Sequence, residues 1–129
     1  MSEGASGVDY LSVDDLLEIA AGILGRVEVR DPGLLASAAA RPASTVFGAD
    51  AYPRFPEKLA ALLHSLARNH PLLDGNKRLA WSAARVFCLM NGRDLRIGID
   101  EAEAMMLDVA SGALDVPELA VLLERHLTP

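Results

Sequence analysis

His70-Pro71-Leu72-Leu73-Asp74-Gly75-Asn76-Lys77-Arg78 brings together an imidazole, a carboxylate, a glycine, an amide and two cations. No other window of the chain concentrates polar chemistry in this way. Gly75 permits a backbone turn barred to residues with a Cβ, and the N–H groups at the start of the helix that follows point outward with partial positive charge. Such a helix start binds anions. Lys77 and Arg78 add full charges, and an arginine can grip two phosphate oxygens through its planar fork. A polyphosphate is therefore the natural ligand of Gly75, Asn76, Lys77 and Arg78. A carboxylate beside bound phosphates would hold Mg²⁺, which takes one or two protein carboxylates and completes its shell with phosphate oxygens and water; that is the role read for Asp74. His70 is then the group near the phosphates able to take a proton from an incoming hydroxyl at neutral pH, so it is read as a general base.

Each of these residues alone has a plainer reading: a helix-end histidine, an Asp-Gly turn, an asparagine cap and two solvated cations. The chemical reading rests on their occurring together. Arg68 stands two residues before His70 and would either bind phosphate and order the loop, or complement the end of a helix. His64 lacks the spacing of a zinc pair with His70 and reads as a packing or surface residue, and His126 as a cation near a helix end. Lys58, Arg54, Thr45 and Tyr52 read as solvated surface, Trp81, Met105 and Met106 as core, and Cys88 as a small buried hydrophobe.

The elements that must position this string are helical. Ser12 before Val13-Asp14-Asp15 is a helix start, and Leu16, Leu17, Ile19, Ala20, Ile23 and Leu24 recur at helical spacing up to Gly25. Asp31-Pro32 opens a short second helix that Arg41-Pro42 closes. The stretch from Pro42 to Pro56, with Pro53 and Gly48 inside it, predicts an irregular flap or a short hairpin. A helix from Pro56 runs to Asn69, and Pro71 limits it. Asn76 to Met90 is apolar almost all round, which predicts the buried central helix. Two amphipathic helices, 100–110 and 116–127, complete an all-α bundle of about six helices.

With 129 residues, 51% of them hydrophobic, the chain is expected to form one domain over residues 9–129 behind a frayed tail, 1–8. Twelve basic against eighteen acidic residues give a net charge of −6, which opposes general attraction to nucleic acid or an anionic membrane. One cysteine, no signal-like start and no apolar run of membrane-spanning length make a cytoplasmic location the expectation.

The string resembles the Fic/Doc signature, H-x-F-x-[DN]-[AG]-N-[KG]-R, with every chemically active position filled. Tyr10-Leu11-Ser12, Arg30 to Gly33, Arg68-Asn69, Asn91-Gly92 and Ala110-Ser111-Gly112 extend the resemblance along the chain. In Fic enzymes the position of Lys77 is usually Gly and the usual reaction is AMP transfer. Lysine there, and Trp81 where Fic enzymes often carry a second arginine, resemble the death-on-curing (Doc) branch. That resemblance implies a toxin of a type II toxin–antitoxin system. It implies reversed binding of ATP with Mg²⁺ and transfer of the γ-phosphoryl group to a protein hydroxyl on elongation factor Tu, which arrests translation. It also implies a Phd-like antitoxin whose tail folds into a groove, because the inhibitory [ST]-x-x-x-E-[GN] helix of many Fic proteins has no counterpart here. The alternatives are a Fic-type AMP transferase and a nucleotide- or antitoxin-binding module without catalysis. Leu72 stands where the family has phenylalanine; leucine can anchor the loop in the core with less bulk.

Overall fold

The computed structural model describes residues 2–3 and 7–129. Residues 1 and 4–6 of the expected tail lie outside the described residues, and Ser2–Glu3 (β1) pairs antiparallel with Asp9–Tyr10 (β2). Helix α1, Val13–Leu24, begins in a capping box: the Asp15 N–H donates to Ser12 Oγ at 3.1 Å and the Ser12 N–H to Asp15 Oδ2 at 2.8 Å. Helix α2, Pro32–Ala40, is capped by Asp31, whose carboxylate accepts the Leu34 N–H at 3.1 Å, with proline in the first turn, where its missing donor costs nothing. A 3₁₀ turn at Arg41–Ala43 leads into a hairpin, Thr45–Val46 (β3) against Ala49–Asp50 (β4). Phe47 and Gly48 at its tip both have positive φ, 52° and 80°, as a two-residue type I′ turn requires. The flap is thus a true hairpin, with Phe47 fully exposed at its tip.

Four more helices follow: α3, Phe55–Asn69; α4, Asn76–Met90; α5, Ile99–Ser111; and α6, Val116–Glu124. The last is three residues shorter than its apolar spacing predicts, since Leu127 leaves the helix to bridge Leu95. The central helix is α3 and not α4 as expected. Ten of its residues are buried, Lys58 to Leu63 consecutively, and it packs against α2, α4, α5 and α6. Ala60, Ala61 and Ala67 of α3 and Ala80, Ala83 and Ala84 of α4 are all fully buried, and side chains this small allow helices to pack closely. On α4, Val86 and Leu89 are exposed and Trp81 is half-buried, so its apolar residues exceed what the core takes up. Periodicity measures apolarity, and apolarity alone does not say which of two adjacent helices is enclosed.

Lys58 departs furthest from its expected solvated state. It is 1% exposed, its ammonium 3.4 Å from the Pro42 carbonyl, 3.5 Å from Asp50 Oδ2 and 5.7 Å from the centre of the Tyr10 ring. The cation thereby ties the hairpin to α3, and burial is tolerated because a carboxylate and a carbonyl meet the charge. Arg41 does similar work beside it: Nε donates to the Tyr52 hydroxyl at 2.9 Å and Nη1 to Ser65 Oγ at 2.9 Å, with His64 Nδ1 3.2 Å away. Among the described residues no helix is long and apolar enough to cross a membrane.

Candidate active site

The backbone of the loop joining α3 to α4 is shaped by two left-handed residues. His70 ends α3 at φ 54°, ψ 62°, and Gly75 starts α4 at φ 86°, ψ 13°. For histidine this region costs about 1–2 kcal/mol and must be held by its surroundings. Glycine suits Gly75 for its positive φ, and a Cβ there would also stand 2.7 Å from both methyl carbons of Leu24, which would have to shift. Between the two, the loop pairs with the connector from α1 to α2. Val29 bridges Leu72, the Leu73 N–H donates to the Glu28 carbonyl at 2.9 Å, and the Arg30 and Asp31 N–H groups both donate to the Pro71 carbonyl, at 2.9 and 3.0 Å. Leu72 is 1% exposed and anchors the loop in the core, the job expected of the position.

Asn76 closes the loop from inside. Its Oδ1 accepts the Leu72 N–H at 2.9 Å and its Nδ2 donates to the Leu72 carbonyl at 2.9 Å, so the buried amide satisfies both backbone groups of one residue. With its side-chain oxygen and nitrogen both bonded to Leu72, the group that Asn76 offers to an anion is its backbone N–H, as expected of a helix start. Helix α4 makes its first backbone bond from the Leu79 N–H to the Gly75 carbonyl at 2.9 Å. The N–H groups of Asn76, Lys77 and Arg78 thus precede the intrahelical ladder and are the donors a bound anion would meet.

A cavity of about 330 Å³ opens at this helix start, lined by His70, Leu73, Asp74, Gly75, Asn76, Lys77 and Arg78. The fold thus brings His70, Asp74 and the phosphate-binding candidates of α4 to one place. Asp74 Oδ1 accepts the Gly75 N–H at 2.9 Å, while no hydrogen bond or ion pair falls on Oδ2 among the described residues. Exposed and half engaged, this carboxylate fits the single protein ligand that a phosphate-bound Mg²⁺ needs. Among the described residues no three His, Cys, Asp or Glu side chains are grouped to hold a metal. The His70 imidazole is exposed and makes no hydrogen bond among the described residues, which leaves it open to an incoming hydroxyl.

Two expected phosphate ligands are placed differently. Arg68 lies outside the cavity: its Nη1 donates to the Ala110 carbonyl at 3.3 Å and its guanidinium lies against Gly112, so it complements the end of α5. Arg78 does line the cavity, but its Nη2 donates to the Ile23 carbonyl at 2.7 Å at the end of α1. Unpaired helix-end carbonyls draw both guanidiniums, and only the tertiary arrangement brings those ends within reach. Lys77 is exposed and has no salt bridge or hydrogen bond among the described residues, leaving it the cation most available to a phosphate.

Sequence reasoning missed two parts of this region. One is Arg30, whose side chain reaches the turn at His70: Nε donates to the His70 carbonyl at 2.8 Å and Nη2 to the Asn69 carbonyl at 2.9 Å. The other is a groove of about 970 Å³ beside the cavity, sharing Lys77 and Arg78 with it and floored by Trp81, Leu95, Ile97, Ile99, Met106 and Leu107. Its lining also includes Lys77, Arg78, Arg85, Arg96 and one acid, Glu103, and Arg85 and Arg96 are both paired with Asp94, at 3.2 and 3.7 Å. Ile99, 77% exposed, and Leu107, 57% exposed, are the trace it leaves in the sequence: apolar residues that α5 cannot bury. Trp81 is thus a groove wall as well as a core residue.

Electrostatics outside the cavity are structural. Burial pushes the His64 imidazole below its ordinary range, the nearby Arg41 cation adds to this, and Asp115 partly opposes it. A hydrogen bond from Arg85 holds the Asp94 carboxyl below the usual carboxylate range. Burial pushes the Cys88 thiol up to about 12, which keeps it protonated and inert.

The helical domain thus presents a histidine, one carboxylate and a glycine-led helix start around one cavity. Residues 10–88 match the model of the Fic/DOC family, more than half of the chain, and the protein belongs to that family. It is also 50% identical over 120 residues to the Toxin Doc of Mycolicibacterium smegmatis, covering 89% of this chain and 91% of the relative. The two findings together support a toxin of a toxin–antitoxin system within the family.

Proposed function

We propose that this protein transfers the γ-phosphoryl group of ATP to a hydroxyl on a target protein, elongation factor Tu, and so arrests translation. The observation that carries the reading is the shared cavity: His70, Asp74 and Lys77 line one space at the start of α4. The phosphates lie against the N–H groups of Asn76, Lys77 and Arg78, where the helix start and the Lys77 ammonium favour negative charge. His70 accepts the proton of the target hydroxyl as its oxygen bonds to the γ-phosphorus and the bond from that phosphorus to the ADP oxygen breaks. Mg²⁺, held by Asp74 through Oδ2, would supply charge neutralisation on the phosphate oxygens. Lysine at position 77 and tryptophan at 81, in place of the Gly and Arg common in AMP-transferring Fic enzymes, favour γ-transfer over AMP transfer.

The partner proposed for the groove is a Phd-like antitoxin, and an apolar lining with Lys77 and Arg78, neither of them paired with an acid among the described residues, suits an acidic amphipathic tail. A tail lying against Trp81 would cover Lys77 and Arg78 and shut the phosphate site.

ATP labelled separately at its α and γ phosphates tests the reaction, with elongation factor Tu as acceptor and His70→Ala as control. Label from the γ position alone, abolished in the control, is expected. Transfer of α label would refute the reading in favour of AMP transfer, and transfer undiminished in the control would remove His70 from the chemistry.

A further inference from the structure

We infer that Arg30 is a positioning residue for His70, setting the direction in which the imidazole leaves the backbone; the inference rests on the reading of His70 as general base. The Arg30 fork spans two successive carbonyls, Nε to His70 O at 2.8 Å and Nη2 to Asn69 O at 2.9 Å. The Asn69 carbonyl belongs to the peptide plane before the His70 Cα, and the His70 carbonyl to the plane after it. Rotation of the first plane about N–Cα is φ of His70, and rotation of the second about Cα–C is its ψ. A rigid guanidinium bonded to both carbonyls therefore fixes both angles at once.

The angles it fixes, 54° and 62°, lie in the left-handed region that a residue with a Cβ leaves unless its surroundings over-determine it. The clamp continues one residue further, where the Arg30 and Asp31 N–H groups both donate to the Pro71 carbonyl. Three successive carbonyls, 69 to 71, are thus held from one place. That place is itself immobile, because Asp31 caps α2 through its carboxylate and Val29 bridges Leu72.

Arg30 and His70 are both exposed, so water would satisfy these carbonyls if the arginine were absent. The contact is accordingly not required to avoid a buried unpaired group. Its effect is on conformation: it selects the one backbone geometry that aims the imidazole at the cavity over the start of α4. A charge-conserving lysine presents one point charge in place of a fork and can restrain one plane but not both.

The test uses the whole chain as Arg30→Met, which keeps side-chain length and removes both donors, with Arg30→Lys and His70→Ala alongside. In the wild type, His70 should give the strong intraresidue HN–Hα NOE of a left-handed residue. In Arg30→Met that NOE should weaken to the level of the negative-φ residues around it while the rest of the spectrum is retained. The amount of protein needed to halt growth should rise by about tenfold or more, the scale on which misplacing a reacting group acts, with Arg30→Lys in between. An NOE of unchanged strength, or arrest unchanged per folded molecule, overturns the inference. If Arg30→Met does not fold, Arg30→Lys is read by the same two criteria. Arrest undiminished in His70→Ala would instead overturn the general-base reading, and the NOE would still report whether Arg30 sets the backbone.

Discussion

Replacing Asn76 separates a ligand contact from a structural clasp. Its amide is buried and makes two hydrogen bonds of 2.9 Å to the backbone of Leu72, itself at the centre of the loop. In Asn76→Ala the Leu72 N–H and carbonyl both lose their partner. A buried polar group left unpaired costs about 1–3 kcal/mol, so the pair sums to roughly 2–6 kcal/mol, with the low end applying if water enters. That is a large share of a total stability of about 5–15 kcal/mol. Each kcal/mol shifts the midpoint of a domain this size by roughly 3–5 °C, so a fall on the order of 10 °C is expected in thermal melts without any nucleotide. Asn76→Asp keeps an acceptor for the Leu72 N–H but sets a carboxylate against the Leu72 carbonyl. It should be destabilised at neutral pH and partly recover in acid, where a protonated carboxyl can donate. A melting midpoint within about 1 °C of wild type in both variants, with nucleotide affinity alone reduced, would refute the clasp and restore Asn76 as a ligand of phosphate.

Gly75→Ala should lose about 1–2 kcal/mol from its left-handed backbone, with a smaller addition because the Leu24 methyls it would meet can move aside; a denaturation midpoint unchanged in urea would count against this geometry. Asp50→Ala leaves the buried Lys58 ammonium without its counter-charge and should cost about 1–2 kcal/mol, less than a wholly buried pair because Asp50 is itself exposed. Lys58→Met, which removes the charge together with its desolvation penalty, should cost less, and the opposite ranking in urea melts would contradict the burial argument. His64 has its proton affinity lowered by folding, so the unfolded chain binds more protons once the pH drops below about the ordinary value of 6.5. Its contribution is complete above that value, falls as the pH goes down towards the folded pKa, and is constant below it. The melting midpoint should drop between neutral pH and the acid side of this window, and His64→Gln should flatten the drop; an equal slope in the variant would place the titration elsewhere.

What could be read along the chain was local in origin. Ser12 and Asp31 announce helix starts because a cap bonds to N–H groups two or three residues on, and Pro71 and Gly75 mark the turn because their backbone limits are intrinsic. The chemical string was legible for the same reason, since His70, Asp74 and the start of α4 are close in sequence and a single turn brings them to one cavity. Leu72 was expected to anchor the loop only through the family resemblance, since Leu73 beside it is equally apolar and yet exposed. What each long polar side chain does within that string was not. Asn76, Arg68 and Arg78 carry the right groups for phosphate, yet they bond to Leu72, to the end of α5 and to the end of α1.

The amino-acid sequence by itself determined six helices, a flap or short hairpin within 42–56 and a glycine-led helix start beside a histidine and an aspartate, all through interactions spanning a few residues. Tertiary structure alone decided that α3 and not α4 is enclosed, that Arg30, forty residues away, clamps His70, and that α4, α5 and the segment between them form one groove. Those outcomes depend on which helix ends and faces meet in space. A free carbonyl attracts whichever guanidinium packing brings near, and nothing in the order of residues names that partner in advance.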